Sequence, residues 1–197
     1  RPEKPLDRIK AMTSLGNGLS AVRNHEEALS VEEAQLSMLR RAGVPEDCLL
    51  TVQGNIAHTY QLLERLEDAL LLKRDVYSVR LRLYGEEHES TLHDAGNYAA
   101  SLAKLQRFEE AKSLLRKTIP VARRVLGENN ERTLRMRWIY ARTLYEDPGA
   151  TLDDLRETLT TLEEIEPVAR RVLGGAHPIT VDIERDMRNA RDAVEGG

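Results

Sequence analysis

A linker sequence recurs along the chain at a regular interval, and this spacing restricts the fold more than any other feature. Gly85, Gly127 and Gly174 each open a copy in which a Thr follows six residues later, and a degenerate copy begins at Gly43. The first two intervals are 42 residues and the last is 47, with the extra residues placed near 146–150, where turn-forming residues cluster. Self-similarity at such a period is the signature of a repeat protein.

The apolar residues within each unit predict a pair of helices. In the second unit, Ala57 and Tyr60 precede Ala69 and Leu72, with a polar segment between the two groups. Apolar residues three or four positions apart form the stripe of a helix that is buried on one side. One antiparallel pair cannot bury its apolar face alone, so neighbouring pairs are expected to stack into a solenoid.

The predicted fold class is therefore all-α: an α-solenoid of about four antiparallel helix pairs and a closing helix, in a single domain over residues 1–197. The repeats are predicted at 6–43, 46–85, 88–127 and 130–174, followed by the closing helix at 178–194. The helices are predicted at about 6–23, 25–41, 46–63, 67–84, 89–105, 109–126, 130–146, 152–173 and 178–194. We expect left-handed glycines to end each pair and Thr or Ser to cap or begin the next one. Pro120 and Pro167 are expected to bend their helices.

Composition and motifs argue against several classes of function. The net charge of −4 gives no reason to expect a nucleic-acid binder. A single cysteine, Cys48, cannot form an internal disulfide, and no run of 18 apolar residues predicts a membrane span. The five histidines lack the spacing of a zinc site. Residues 16–21 match a dinucleotide-binding pattern but have no strand before them, and no catalytic motif occurs. We therefore expect no enzymatic activity, metal or cofactor.

The repeat resembles the tetratricopeptide repeat, in which large, small, large and small residues occupy set positions of each unit. The residues that match are Leu15, Gly16, Leu19 and Ala28; Ile56, Ala57, Tyr60 and Ala69; Tyr98, Ala99, Leu102 and Ala111; and Tyr140, Ala141 and Leu144. The 42-residue period and the G-x-x-H-x-x-T linker are similar to kinesin light chain repeats. This resemblance implies a right-handed superhelix with a concave surface lined by the first helix of each pair. It also implies that Ala69 and Ala111 lie where paired helices approach closely.

In the resembled family, ligand peptides lie along that concave groove. Transferring the ligand-contacting positions to this chain gives a polar, slightly basic set, interrupted by Asp182 and Asp186: Asn17, Asn55, His58, His93, Asn97, Lys104, Arg135, Trp138, Arg142, Tyr145, Arg185 and Asn189. Amide side chains suit a peptide backbone because they both donate and accept hydrogen bonds. Arg and Lys attract acidic side chains, and Trp138 offers an apolar anchor. The alternative is that these residues form only a solvated inner face.

The leading hypothesis is a non-catalytic scaffold that binds an extended, acidic peptide of a partner protein in this groove. Two alternatives remain open. One is a structural or oligomerising segment of a longer repeat array, which self-associates through the ends of the solenoid. The other is a regulatory domain of a larger enzyme. The partner is expected to be a protein rather than nucleic acid or membrane, and the location is expected to be cytoplasmic.

Overall fold

A computed structural model describes the backbone of residues 5–195, and the side chains of residues 11–16 and 18–194. This part of the chain contains nine α-helices and no strand. The helices are α1 Pro5–Ala21, α2 His25–Ala42, α3 Glu46–Leu62, α4 Leu66–Tyr84, α5 Glu89–Lys104, α6 Phe108–Leu126, α7 Glu131–Glu146, α8 Leu152–Val172 and α9 Pro178–Glu195. The predicted fold class is confirmed, and every helix end lies within two residues of its predicted position. The turn between α7 and α8 lies at 147–151, where the sequence analysis placed the extra residues of the fourth unit.

The chain divides into two compact units. The assignment of residues 1–197 to a single domain therefore stays a prediction. Unit 1 ends at Leu83 and unit 2 begins at Tyr84. In unit 1, α2 packs against both α1 and α3. Its apolar core joins Leu29, Leu36 and Leu39 of α2 to Val52 and Ile56 of α3. Leu72 of α4 packs against this core. The helices of unit 1 thus stack in the order of the sequence.

In unit 2, the first helix α7 contacts both the first helix α5 and the closing helix α9. Each helix from α5 to α9 packs against the next in sequence, and α7 also touches α5 and α9. The core is made by apolar residues of α7, α8 and α9, among them Leu134, Leu162, Ile165 and Ile183. Because α7 contacts both α5 and α9, side chains from these three helices can meet on one face of this unit.

Small residues occupy the positions where the repeat requires them. Ala69 and Ala111 have no exposed surface, as expected for a close approach of paired helices. A Cβ atom added to Gly96 of α5 would lie 3.3 Å from Cγ of Met136 on α7, which is tighter than most such contacts. A small residue at this position therefore sets how closely α5 and α7 approach.

Helix ends follow the prediction only in part. Gly43 has the left-handed conformation, with φ 62° and ψ 34°, and its N–H donates to the carbonyl of Arg40. Gly127 has a φ of 90° but an extended ψ of 160°, so the left-handed prediction is wrong there. Arg23, Glu64 and Gln106 adopt positive φ in the turns within pairs. The sequence analysis placed these turns between the paired helices but did not predict their positive φ, which it expected only of glycine.

The caps of α5 and α7 are histidine and asparagine, and the expected Ser and Thr residues lie in the first turns of these helices instead. His88 Nδ1 accepts a hydrogen bond from the Ser90 N–H at 3.2 Å, and Asn130 Oδ1 accepts one from the Arg132 N–H at 2.9 Å. The expected residues Thr91 and Thr133 are buried inside these helices. Thr151 does cap α8, in a reciprocal capping box with Asp154. Side-chain acceptors thus satisfy backbone donors at all three helix starts.

Candidate peptide-binding surface

One face of unit 2 gathers five of the predicted groove residues with a buried carboxylate. It consists of His93 and Asn97 of α5, Arg135, Trp138 and Arg142 of α7, and Asp186 of α9; we call it the α5–α7–α9 face. The three α7 residues follow at steps of three and four, which place them on one side of a helix. The contacts of α7 with α5 and α9 then bring the other members alongside.

Asn97 connects α5 to α7. Its Oδ1 accepts a hydrogen bond from Arg135 Nη1 at 3.1 Å, and its Nδ2 lies 3.3 Å from His93 Nε2. His93 Nδ1 in turn lies 3.2 Å from Oδ1 of the buried Asp94. A series of side-chain polar contacts therefore connects the predicted groove residues His93, Asn97 and Arg135. Within it, Asn97 orients the Arg135 guanidinium.

Trp138 is held in place from two sides. Its ring packs on the core of unit 2, and its Nε1 donates a 2.8 Å hydrogen bond to Oδ2 of Asp186. Asp186 is only 3% exposed. The Arg142 guanidinium carbon lies 5.8 Å from the centre of the Trp138 ring, within the range of a cation–π contact. A half-buried aromatic ring restrained in this way loses little conformational entropy when a ligand covers it.

The three arginines near this face differ in their charge partners. Arg142 Nε donates to Glu146 Oε1 at 2.7 Å. Arg185 lies 2.7 Å from Asp182 and 3.2 Å from Asp186. Burial acts to lower the pKa of Arg185, but these two carboxylates outweigh it and raise the pKa. Among the described residues, no carboxylate lies within ion-pair distance of Arg135, whose only hydrogen bond is to a neutral amide.

Arg135 is consequently an incompletely compensated charge. Burial lowers its pKa, because removal from water disfavours the charged form, and the charge of Glu131 opposes this effect only partly. A partly desolvated guanidinium gains more from an anion than a fully solvated one does. The α5–α7–α9 face therefore offers one site suited to a carboxylate beside one suited to an apolar contact.

The other predicted residues of unit 2 are not members of the α5–α7–α9 face, although Arg185 forms an ion pair with its Asp186. Lys104 is exposed at the end of α5, while Arg185 and Asn189 are exposed on α9. Tyr145 is half-buried near the end of α7 and has no hydrogen bond to the described residues. The sequence analysis missed the role of Asp186, which it treated as an exception to a basic surface. No sequence signal indicated this role, because it depends on the contact between α7 and α9.

The predicted residues in unit 1 have separate surroundings. Asn55 is half-buried on α3 and lines a cavity formed by α1, α2 and α3. His58 is exposed on the same helix. The side chain of Asn17 lies outside the described residues. The expectation that Asn55 and Asn97 line one common groove stays a prediction.

Two further observations concern the described part of the chain as a whole. No three His, Cys, Asp or Glu side chains there form a group that could hold a metal ion. None of its helices combines the length and apolarity needed to cross a membrane.

Comparison with protein families identifies two of the repeats. Residues 49–90 and 91–131 each match the model of the tetratricopeptide repeat. These ranges cover the second and third predicted units, so the resemblance stated from their residues is confirmed. No curated protein sequence matches the chain.

Solved structures extend the likeness to the whole fold. A crystal structure of a kinesin light chain-like protein from Podosopora anserina, with nearly identical TPR-like repeats, aligns with a TM-score of 0.79 at 19% identity. The alignment covers 100% of this chain and 90% of that one. BtubC (BKLC) from P. vanneervenii aligns with a TM-score of 0.66 at 14% identity, over 96% of this chain and 82% of that one. The chain thus has the tetratricopeptide fold of kinesin light chain-like proteins.

Proposed function

We propose that this tetratricopeptide repeat chain is a non-catalytic scaffold that binds an extended segment of a partner protein on its α5–α7–α9 face. Tetratricopeptide repeats generally mediate contacts between proteins rather than catalysis, and two such repeats lie at residues 49–131. A fold does not define a function by itself, so the proposal depends on the chemistry of this face.

The observation that carries the proposal is the state of Arg135. Its guanidinium is half-buried, has no carboxylate partner among the described residues, and is oriented by Asn97 at 3.1 Å. An acidic side chain of the partner would supply the missing charge with a charge-assisted hydrogen bond. The neighbouring Arg142 and Arg185 are already engaged by carboxylates. We therefore assign the acidic contact chiefly to Arg135, rather than to a general basic surface.

Trp138 supplies the second element of recognition. Aromatic and arginine side chains near the centre of an interface commonly dominate its binding energy. Trp138 lies one turn along α7 from both Arg135 and Arg142, and Asp186 holds its indole N–H. A bound segment would thus place an apolar side chain on the Trp138 ring, with an acidic residue near it in sequence.

Similarity to kinesin light chain-like structures supports a protein partner and leaves its identity open. The expected cytoplasmic location and self-association through the solenoid ends stay predictions.

The test begins with peptides selected on the intact chain from a random display library. Their affinity is then measured by isothermal titration calorimetry for the original chain, Arg135→Ala and Trp138→Ala. Each substitution should weaken binding about ten- to hundredfold, because each removes a central contact. The Arg135 contribution should also diminish with added salt.

The matched control is Arg156→Ala, which removes an exposed arginine from α8. It should leave the affinity unchanged. Correctly folded Arg135→Ala and Trp138→Ala variants that bind the selected peptides as tightly as the original chain would refute the proposal. Selected peptides without acidic residues would refute the role given to Arg135.

A further inference from the structure

An open groove lies on the surface of unit 1 between α2 and α4, the second helices of their pairs, with α3 beneath it. Its volume is about 520 Å³, and we call it the α2–α4 groove. Leu36 of α2 and Ile56 of α3 are buried and form an apolar floor, while Leu71 of α4 lines the groove with 49% of its surface exposed. Its described lining includes none of the residues that the sequence analysis assigned to peptide binding.

Carboxylates outnumber cations in this groove. The charged residues of the described lining are Glu33, Asp68, Asp75 and Arg40. Asp68 lies 2.7 Å from Arg65, and Asp75 lies 2.9 Å from Arg74, but these are exposed pairs of near neighbours in the sequence and contribute little energy. Among the described residues, no cation lies within ion-pair distance of Glu33. No hydrogen bond or ion pair joins the described lining of α2 to that of α4.

The corresponding surface of unit 2, between α6 and α8, is crossed by arginine contacts. Arg116 Nε of α6 donates to the Tyr140 hydroxyl at 3.0 Å, and this hydroxyl donates to Glu157 Oε1 of α8 at 2.9 Å. Arg137 of α7 forms an ion pair with Glu164 of α8. Guanidinium groups therefore partner both carboxylates of α8, one directly and one through Tyr140.

Unit 1 has the carboxylates of this arrangement but lacks its arginines. The two units are aligned on small residues without exposed surface, Ala28, Ala57 and Ala69 in unit 1 with Ala111, Ala141 and Thr158 in unit 2. In this alignment Asp68 and Asp75 correspond to the α8 carboxylates Glu157 and Glu164. The positions of Arg116, Arg137 and Tyr140 are occupied by Glu33, Gln53 and Ile56. The α2–α4 groove thus has an anionic rim and an apolar floor, without the cations that cross the surface of unit 2.

We propose that the α2–α4 groove binds an arginine-bearing segment of a partner protein. The guanidinium of that segment would supply the charge that Arg116 and Arg137 supply in unit 2, with charge-assisted hydrogen bonds to Glu33 and the α4 carboxylates. The aliphatic stem of the arginine and apolar neighbours in the segment would cover Leu71. This inference goes beyond the proposed function, because that ligand is acidic and binds unit 2, whereas this one is basic and binds unit 1.

The probe comes from a peptide display library with arginine at one central position and random flanking residues. The library is first depleted on the Glu33→Arg chain and then selected on the original full chain. The most enriched peptide is labelled with fluorescein and titrated by fluorescence anisotropy. We expect aliphatic residues beside its arginine and saturable binding, which a matched peptide with glutamate in place of the arginine should lack. A library that yields no peptide after depletion, or a glutamate peptide that binds equally well, would overturn the inference.

Two substitutions of exposed residues connect the binding to the groove. Glu33→Gln should weaken the labelled peptide about three- to fivefold, as expected when one exposed charge contact is lost. Leu71→Ala should weaken it about three- to tenfold, because apolar surface is no longer covered. The matched controls are Glu27→Gln, at an exposed residue of α2 outside the groove, and Leu152→Ala, at a leucine of α8 that is also 49% exposed. Folded Glu33→Gln and Leu71→Ala variants with affinities equal to those of their controls would overturn the inference.

Two other occupants are tested with the same chain. Trp138→Ala should leave the affinity of the arginine peptide unchanged, and a loss of binding would place this peptide on the α5–α7–α9 face and overturn the inference. Analytical ultracentrifugation should show no association of the chain that depends on Glu33. Association that rises with protein concentration and disappears in Glu33→Arg would assign the groove to a second copy of the chain and also overturn the inference.

Discussion

Replacing Glu32 by Gln should stabilise the protein at neutral pH. Glu32 lies on α2 with only 6% of its surface exposed, and its Oε2 has no hydrogen-bond partner among the described residues. Burial raises the pKa of this carboxyl group, because the charged form is poorly solvated, although a hydrogen bond with Thr59 acts in the opposite direction. Gln preserves the shape and the hydrogen bond with Thr59 but carries no charge.

The size and the pH dependence of the effect follow from the burial. An unsatisfied buried polar group costs about 1–3 kcal/mol, and a charged one costs more, so exchanging the carboxylate for a neutral amide should recover about 1–3 kcal/mol. With a urea dependence of about 2 kcal/mol per M, the unfolding midpoint at pH 7.5 should rise by about 0.5–1.5 M. Since the folded-state pKa of Glu32 is raised, its stabilising contribution is fully present below the unfolded pKa and is lost as pH rises through the folded value. The advantage of Glu32→Gln should therefore disappear as pH falls towards 4.5.

Urea unfolding followed by far-ultraviolet circular dichroism at pH 4.5 and 7.5 measures this difference. Glu33→Gln, the same substitution at the exposed neighbouring residue, is the matched control and should change the midpoint little at either pH. A Glu32→Gln variant that is less stable than the original chain at pH 7.5, or whose advantage grows in acid, would refute the reasoning.

Three other stability changes follow from the fold. Ala69→Leu and Ala111→Leu should each cost about 1–3 kcal/mol by overpacking and lower the thermal midpoint; unchanged midpoints would show that the repeat register is wrong. Lys112→Met should destabilise by about 1–2 kcal/mol at pH 7, because it leaves Asp147 without its 2.8 Å partner. Lys112 also lowers the pKa of Asp147, so the pair is lost in acid and the effect of Lys112→Met should shrink there; an equal effect at pH 3 and 7 in urea unfolding would contradict this assignment. Gln106→Gly should stabilise by about 0.5–1 kcal/mol, because Gln106 has a φ of 58° that glycine adopts without strain; a lower unfolding midpoint would oppose it.

The fold was predictable because periodicity repeats the same information several times. Each unit contains two apolar stripes and a glycine near its end, so the errors in helix bounds stay small. Individual turns carry less information. The positive φ of Arg23, Glu64 and Gln106 has no residue signal, because non-glycine residues adopt this conformation only where the surrounding helices require it. The cap by Asn130 was missed because the nearby Thr133 looked equally suitable.

The candidate site was predictable as a set of positions but not as a set of interactions. Helical spacing placed Arg135, Trp138 and Arg142 on one side of α7. Their pairing depends on contacts between helices, so the sequence did not show that Asp186 binds Trp138 or that Asn97 binds Arg135. The cavity beside Asn55 could not be predicted from the sequence for the same reason, because its walls come from three helices of unit 1.

The fluorescence of Trp138 tests the central claim most directly, because this residue is the single tryptophan of the chain and lies on the proposed binding face. A selected peptide free of tryptophan is titrated into the intact protein while the emission spectrum is recorded. We predict a saturable change in Trp138 emission, as the ligand covers the ring, with a dissociation constant equal to the calorimetric value. Calorimetric binding without any change in Trp138 emission would contradict the account and place the ligand elsewhere on the chain.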